Sequence, residues 1–121
     1  MAEQKFIFSD KKAINKKLSI PHGWKTMWNE LSEDDPGTLE KDSSGWLLFS
    51  EDILYIEKEK TVLNKEKRAL DLGWYPEADP NGEFCLYVIK DDNWTEPKEA
   101  FRSRSVSEIA DKIEELLMKY S

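Results

Sequence analysis

Two segments of alternating hydrophobicity, separated by turn-forming residues, constrain the fold of this 121-residue chain more than any other feature. In the first segment Leu70, Leu72 and Trp74 alternate with Asp71, Gly73 and Tyr75, and in the second Phe84, Leu86 and Val88 alternate with Cys85, Tyr87 and Ile89. Residues 77–82 favour a turn, because Pro80 fixes φ and Asn81-Gly82 tolerates positive φ. The pattern therefore predicts a β-hairpin. Since both sets of positions in its second strand are apolar, that strand is predicted to be central in a sheet.

Further strands are indicated on either side of the hairpin. Trp46–Phe49 and Ile53–Ile56 are β-prone apolar runs, which predict either one bent strand or two strands joined by a tight turn. Glu99–Arg104 predicts another strand, with Phe101 pointing inward. The almost continuously charged stretch from Glu57 to Lys67 favours neither helix nor strand. Consecutive strands with short connections predict an antiparallel sheet.

Helices are predicted at both ends of the chain. Near the C-terminus, Ser105 and Glu108 have the spacing of a capping box. An apolar stripe at helical spacing follows, formed by Val106, Ile109, Ala110, Ile113, Leu116, Leu117 and Tyr120. Near the N-terminus, residues 6–8 predict a short strand and residues 9–18 a short helix. A second helix with one face toward the core is predicted by the i, i+3, i+4 and i+7 spacing of Trp24, Met27, Trp28 and Leu31.

These elements predict a single α+β domain over residues 1–121. Its antiparallel sheet has about four to five strands and is packed by an N-terminal helical region and a C-terminal amphipathic helix. Five Trp, four Tyr and five Phe supply far more large apolar side chains than a disordered chain carries.

The formal net charge of −7 argues against generic nucleic-acid binding, because phosphate contacts need clustered Lys and Arg. An acidic protein is suited instead to a basic partner, whose approach its electric field accelerates. The single cysteine allows no intrachain disulfide. The sequence also has neither an apolar stretch of membrane-spanning length nor a signal-peptide pattern. We therefore expect a cytoplasmic protein without membrane contact.

Residues of the common catalytic and metal sites are sparse. His22 and Cys85 are the only residues of their types, and Cys85 lies in a strand predicted to be buried. One His and one Cys cannot form a typical zinc site, and no EF-hand loop, phosphate-binding Gly-rich loop or nucleophile elbow appears. The sequence therefore predicts that the protein is not an enzyme and holds no metal or cofactor. A hydrolase built on two carboxylates remains open, because such a pair leaves no sequence signature.

Acidic and aromatic residues are the remaining candidates for function. The stretch from Ser32 to Gly45 has the densest acids, and from it Glu33, Asp34 and Asp35 are predicted to bind a partner. A second predicted contact region combines aromatic anchors with acids at the two later turns: Trp74, Tyr75, Glu77, Asp79, Asp91, Asp92 and Trp94. The alternative interpretation is that Trp74 points to the core, Trp94 covers a sheet edge and the acids keep the protein soluble.

Several short motifs follow one another between residues 70 and 120: Gly73-Trp74-Tyr75-Pro76, Asp79-Pro80-Asn81-Gly82, Tyr87-Val88-Ile89-Lys90, and then Trp94, Pro97, Phe101 and Arg104. With these motifs, residues 70–120 resemble small immunity proteins that are encoded beside bacterial polymorphic toxins, including contact-dependent growth inhibition systems. It implies a protein that binds the C-terminal domain of a cognate toxin, often a basic nuclease, and blocks it in the cytoplasm. It assigns no role to individual residues, since each immunity protein has its own contacts.

Two other binding functions remain open. One is a generic acidic interaction or regulatory module without a toxin partner. The other is a mimic of DNA, which the lysines interspersed through residues 57–68 disfavour because they interrupt the rows of acids that such a mimic needs.

Overall fold

The computed structural model of the chain describes residues 16–33, 35–40, 46 and 49–121. In these residues five strands form one antiparallel sheet, in which each strand pairs with the next one along the chain. The strands are β1 (Lys25–Asn29), β2 (Leu54–Lys58), β3 (Arg68–Tyr75), β4 (Glu83–Lys90) and β5 (Glu99–Ser103). One α-helix, α1 (Val106–Lys119), follows the last strand, and a 3-10 turn at Pro36–Thr38 lies between β1 and β2. The described part of the chain is therefore α+β, as the sequence predicts.

Strands β3 and β4 form the predicted hairpin. Leu72 pairs with Leu86 and Trp74 with Phe84, so that the apolar positions of the two strands lie on the same face. β4 lies between β3 and β5, which confirms the expectation that it is an interior strand. The sequence suggests positive φ at Asn81-Gly82, but neither residue of this pair has it. The left-handed residue of the connecting loop is Ala78, with φ of 58°.

One face of the sheet carries the hydrophobic core. It is covered by the apolar stripe of α1 and by four described residues between β1 and β2, which are Leu31, Trp46, Phe49 and Ile53. Phe101 packs against this core from β5, as predicted. The start of α1 is stabilised by two acceptors: the Ser105 hydroxyl accepts a hydrogen bond from the Glu108 amide at 3.2 Å, and the Asp35 carboxylate accepts one from the Val106 amide at 2.7 Å. The predicted C-terminal helix and its N-cap are thus confirmed.

The helix predicted from Trp24 to Leu31 is wrong. This segment contains the edge strand β1, and the pairing of β1 with β2 has an irregular register between Thr26 and Trp28. Such a bulge breaks the alternation of period two by which a strand is recognised. Trp24 and Leu31 are buried just outside the strand, whereas the side chain of Trp28 is exposed. The helical spacing in this segment therefore arises because two buried residues, Trp24 and Leu31, flank a strand.

The other predictions for the N-terminal region fall mostly on residues that the structure does not describe. The strand at residues 6–8 and the helix at residues 9–15 lie outside the described residues, and residues 16–20 have no regular secondary structure. Trp46 and Phe49 are core residues outside the strands, so β2 is the strand that corresponds to the predicted Ile53–Ile56 run. In the charged stretch, β2 ends at Lys58 and β3 begins at Arg68.

The opposite face of the sheet, here called the open face, has a much smaller apolar cluster. Its buried members are Tyr55, Ala69 and Ile89, against which Tyr87 packs. These residues come from β2, β3 and β4, at the alternate positions that α1 does not cover. Among the described residues, the open face presents aromatic and charged side chains and carries no second packed layer.

Candidate functional site

Three aromatic rings stack on the open face. Tyr55 of β2 lies between Trp28 of β1 and Trp94 of the β4–β5 loop, with ring centroids 5.2 Å and 5.9 Å apart and planes tilted by only 23° and 25°. Tyr55 is buried, but Trp28 is 41% exposed and Trp94 is 49% exposed. We call Trp28, Tyr55 and Trp94 the aromatic stack. Because Trp and Tyr have few rotatable bonds, it offers a rigid apolar surface to a partner.

Acids surround the end of the stack near Trp94. The Lys67 ammonium lies 3.0 Å from the Asp92 carboxylate and 3.4 Å from that of Glu57. The hydrogen bond to Asp92 is the main reason that the pKa of Lys67 is raised. The Asp91 carboxylate accepts a hydrogen bond from the backbone amide of Lys67 at 2.9 Å. The turn that carries Trp94 is therefore tied to the start of β3 by two aspartates.

That turn has an unusual backbone. Asp91 and Asp92 both have left-handed φ, 51° and 59° respectively. The Asn93 amide donates a hydrogen bond to the Lys90 carbonyl at 3.0 Å, which closes the turn. Asn and Gly are the usual residues for two successive left-handed positions. Asp at both positions keeps two carboxylates beside the aromatic stack.

Asp71 lies at the centre of the open face. It is on β3, the middle strand, and is directly opposite Tyr55 on β2 and Tyr87 on β4. Burial raises the pKa of its carboxyl to about 6, with a further contribution from the nearby charge of Asp52. Among the described residues, no Lys or Arg forms an ion pair with this carboxylate.

The phenols and the thiol of the open face are neutral at pH 7. Burial raises the pKa of Tyr55 and of Tyr75 to about 12, and it also raises the pKa of Tyr87 and of the Cys85 thiol. The phenols can therefore donate hydrogen bonds, and the Cys85 thiol is not an activated nucleophile.

The structure corrects the role predicted for Trp74. Its side chain is 0% exposed, and its indole N–H donates a hydrogen bond to the Asp79 carbonyl at 2.8 Å. The Arg104 guanidinium lies 5.3 Å from the centre of the ring. Trp74 is thus a core side chain that organises the β3–β4 loop, in agreement with the alternative interpretation.

The predicted residues at the two later turns lie at opposite ends of the sheet. Tyr75, Glu77 and Asp79 are at or beyond the end of β3, whereas Asp91, Asp92 and Trp94 lie beside its beginning. The eight residues of β3 separate the two groups by about 20 Å. Glu77 is exposed, while Asp79 accepts the Asn81 amide at 2.8 Å within its own loop. Of these residues, the structure brings Asp91, Asp92 and Trp94 together with the aromatic stack.

The first acidic stretch is divided by the structure. Glu33 is exposed, Asp34 lies outside the described residues, and the Asp35 carboxylate is engaged with the start of α1. Asp35 therefore has a structural role in the fold, where a carboxylate is favoured by the helix dipole.

Sequence reasoning missed Trp28, Tyr55, Asp71 and Tyr87. Trp28 was hidden by the helical spacing of its segment. For Asp71 a signal exists, because alternation places this acid on the face opposite Leu70 and Leu72. Its neighbours Tyr55 and Tyr87 follow only from the pairing of β2 and β4 with β3.

The structure also shows the position of the single histidine and of one groove. His22 is exposed, and an open groove of about 510 Å³ lies between residues 22–25 and residues 57–61. Within the described ranges, no group of three or more His, Cys, Asp or Glu side chains is arranged to hold a metal ion. No helix formed by the described residues has the length and apolar character to cross a membrane.

Comparison of the chain with known protein families, with curated proteins and with solved structures finds no match.

Proposed function

We propose that this protein is an inhibitory binding protein of the immunity type, which uses the open face of its sheet to bind and neutralise a basic toxin domain in the cytoplasm. The observation that carries this proposal is the aromatic stack, whose two outer tryptophans remain about half exposed beside a set of acids. The proposal assigns no catalytic role to the chain.

The exposed rings favour a macromolecular partner. Exposed tryptophans held rigidly on a sheet are the type of residue that contributes most to protein–protein binding. Met27, on the same edge strand as Trp28, is also 43% exposed. Exposed rings on the face of a sheet suit another protein surface better than a small molecule, which requires a concave pocket.

The charges around the face favour a basic partner. Six acids lie close enough for their charges to raise the pKa values of residues on the open face: Glu51, Asp52, Glu57, Asp71, Glu83 and Asp92. The basic residues Lys67 and Arg102 are each already paired with an acid, Lys67 with Glu57 and Asp92, and Arg102 with Glu83. The excess of carboxylates complements a cationic surface and raises the rate of association with it.

The alternative is an acidic interaction module without a toxin partner, which would use the same face. A mimic of DNA is less favoured, because Lys67 and Lys90 pair with acids where a mimic would present uninterrupted negative charge. The gene that lies immediately upstream distinguishes the first two functions. A large secreted protein with a variable C-terminal domain is expected there for an immunity protein.

The proposal is tested by co-expressing this chain with the C-terminal domain of that upstream protein. We expect rescue of growth and a purified complex whose association rate falls as salt is raised. A failure to rescue growth together with the absence of a complex would refute the proposed function.

The surface is tested with Trp94→Ala, compared with Met118→Ala on the exposed side of α1. Met118 is 69% exposed and matches the loss of a large apolar side chain away from the open face. We expect Trp94→Ala to weaken the complex at least about tenfold and Met118→Ala to leave it within about twofold of the wild type. Equal affinities for the two variants would show that the partner binds elsewhere.

A further inference from the structure

The groove between the start of β1 and the end of β2 is lined mainly by basic side chains. Its volume of about 510 Å³ is within the range of small-molecule sites. Its basic lining residues are Lys25, Lys58, Lys60 and His22. Glu57 and Glu59 also line it, but the Glu57 carboxylate already lies 3.4 Å from the Lys67 ammonium. A chain of net charge −7 therefore has a locally positive site here, which we call the basic groove.

The Lys58 ammonium is positioned by its surroundings but has no counter-ion. It lies 6.0 Å from the centre of the Trp24 ring, and a Cβ atom added to Gly23 would lie 3.0 Å from it. Gly23 has φ of 98°, a conformation that favours glycine, and its missing side chain leaves room for the ammonium. Among the residues that the structure describes, no carboxylate forms an ion pair with Lys25, Lys58 or Lys60.

A buried cation lies directly beside Lys58. Arg68 of β3 is the cross-strand partner of Lys58 on the same face of the sheet, so their Cβ atoms are about 5 Å apart. Arg68 is 3% exposed, and its Nε and Nη1 atoms have no hydrogen-bond partner within the described chain. Lys90, the partner of Arg68 on its other side, is paired with Glu66 at 2.7 Å. Two adjacent cations, one of them buried without a partner, are unfavourable unless an anion lies near both.

We propose that the basic groove binds a phosphorylated small molecule, whose phosphate group pairs with the Lys58 ammonium and compensates the charge of the neighbouring Arg68. Lysine is a common phosphate ligand, and a phosphate monoester carries a charge of about −1.5 to −2 at pH 7. A single carboxylate would compensate only one of these cations. A long polyanion fits less well, because it would extend from the groove to the acids beside it, Glu57 and Asp92. This site does not depend on the proposed function.

Calorimetric titration with pyrophosphate, in a buffer free of phosphate, tests the site. We expect binding to the wild-type chain with a Kd below about 1 mM. Lys58→Met keeps most of the side-chain stem beside Trp24 and removes the charge, so it should weaken binding at least about tenfold. The matched control is Lys98→Met, which removes an exposed lysine of the β4–β5 loop and should change the affinity within about twofold. Absence of binding, or equal affinities for the two variants, would overturn the proposal.

Citrate distinguishes a phosphate site from a general anion site. It carries several negative charges on carboxylates, and we expect it to bind the wild-type chain at least about tenfold more weakly than pyrophosphate does. Equal affinities for citrate and pyrophosphate would show that the groove selects charge alone, and the assignment to a phosphorylated ligand would then be wrong.

The part played by Arg68 is tested by ligand-linked stability. Saturating pyrophosphate should raise the urea midpoint of the wild-type chain, because it binds the folded state. Arg68→Met should shift less and bind pyrophosphate at least about fivefold more weakly, since the buried charge beside Lys58 is gone. A folded Arg68→Met protein with wild-type affinity would show that Arg68 takes no part in the site. Should that variant fail to fold, the comparison of Lys58→Met with Lys98→Met decides whether the groove binds phosphate.

Discussion

Asp71→Asn should make the isolated protein more stable at neutral pH. The substitution replaces a partly buried carboxylate, whose charge is opposed by burial and by Asp52, with a neutral amide of nearly the same size. It leaves the packing of Tyr55 and Tyr87 around position 71 in place. A gain in stability on removal of a charged side chain is the opposite of what a structural ion pair would give.

The magnitude follows from the pKa. A carboxyl pKa of about 6 in the folded protein, against an ordinary value of 3.8, corresponds to at most about 3 kcal/mol of unfavourable free energy for the charged form. Because the side chain is only half-buried, solvent screens part of this penalty, and we expect a gain of about 1 kcal/mol.

The sign of the pH dependence is determined by the raised pKa. Between the two pKa values the folded protein holds a proton that the unfolded chain releases, so wild-type stability falls as the pH rises from about 4 through about 6. The stability difference between Asp71→Asn and the wild type should therefore be near zero at about pH 4 and reach its full value above about pH 6.5.

Urea unfolding followed by tryptophan fluorescence measures this difference across the pH range. Asp111→Asn is the control, because it also removes one negative charge from a protein of net charge −7 and reports the general relief of repulsion. If Asp71→Asn is no more stable than Asp111→Asn above about pH 6.5, or if its advantage grows as the pH falls, then the charge of Asp71 does not destabilise the folded protein.

Three further predictions concern the fold, each measured as the free energy of unfolding in urea. Gly73→Ala should destabilise the protein by about 2 kcal/mol or more, since the new Cβ overlaps the Glu51 backbone; an unchanged stability would mean that the Glu51 carbonyl does not lie over Gly73. Ser105→Ala should cost about 1 kcal/mol through loss of the α1 N-cap, and a loss below a few tenths would contradict that cap. Arg68→Met should stabilise the protein by about 1 kcal/mol, because Arg68 is 3% exposed and its Nε and Nη1 atoms have no hydrogen-bond partner among the described residues. A marked loss of stability in Arg68→Met would instead reveal a compensating partner for the guanidinium.

Strong local periodicity explains which elements could be predicted. The β3–β4 hairpin and α1 have their apolar positions at regular spacing along the chain, with a turn or a cap at the boundary. Strand β1 lacks such a pattern, because its register is irregular and it lies at an edge where most side chains are exposed. Its conformation is determined by non-local hydrogen bonds to β2. Such bonds do not require the alternation of apolar and polar residues by which a strand is recognised in a sequence.

The candidate site shows the same division. Trp94, Asp91 and Asp92 could be selected from the sequence because exposed aromatic and acidic residues at a turn are an interface signal in themselves. Trp74 and Tyr75 were selected on the same ground, but hairpin geometry carries them about 20 Å away and turns Trp74 into the core.

By itself, the sequence determined an acidic chain with a hairpin, an amphipathic C-terminal helix and alternation that directs Asp71 away from Leu70 and Leu72. Only the tertiary structure decided that Trp28, Tyr55 and Trp94 stack, and that Asp71 lies between Tyr55 and Tyr87. These contacts join residues of five different segments: β1, β2, β3, β4 and the β4–β5 loop. Their proximity is set by strand order and register, and these depend on which apolar faces can be buried together in the folded chain.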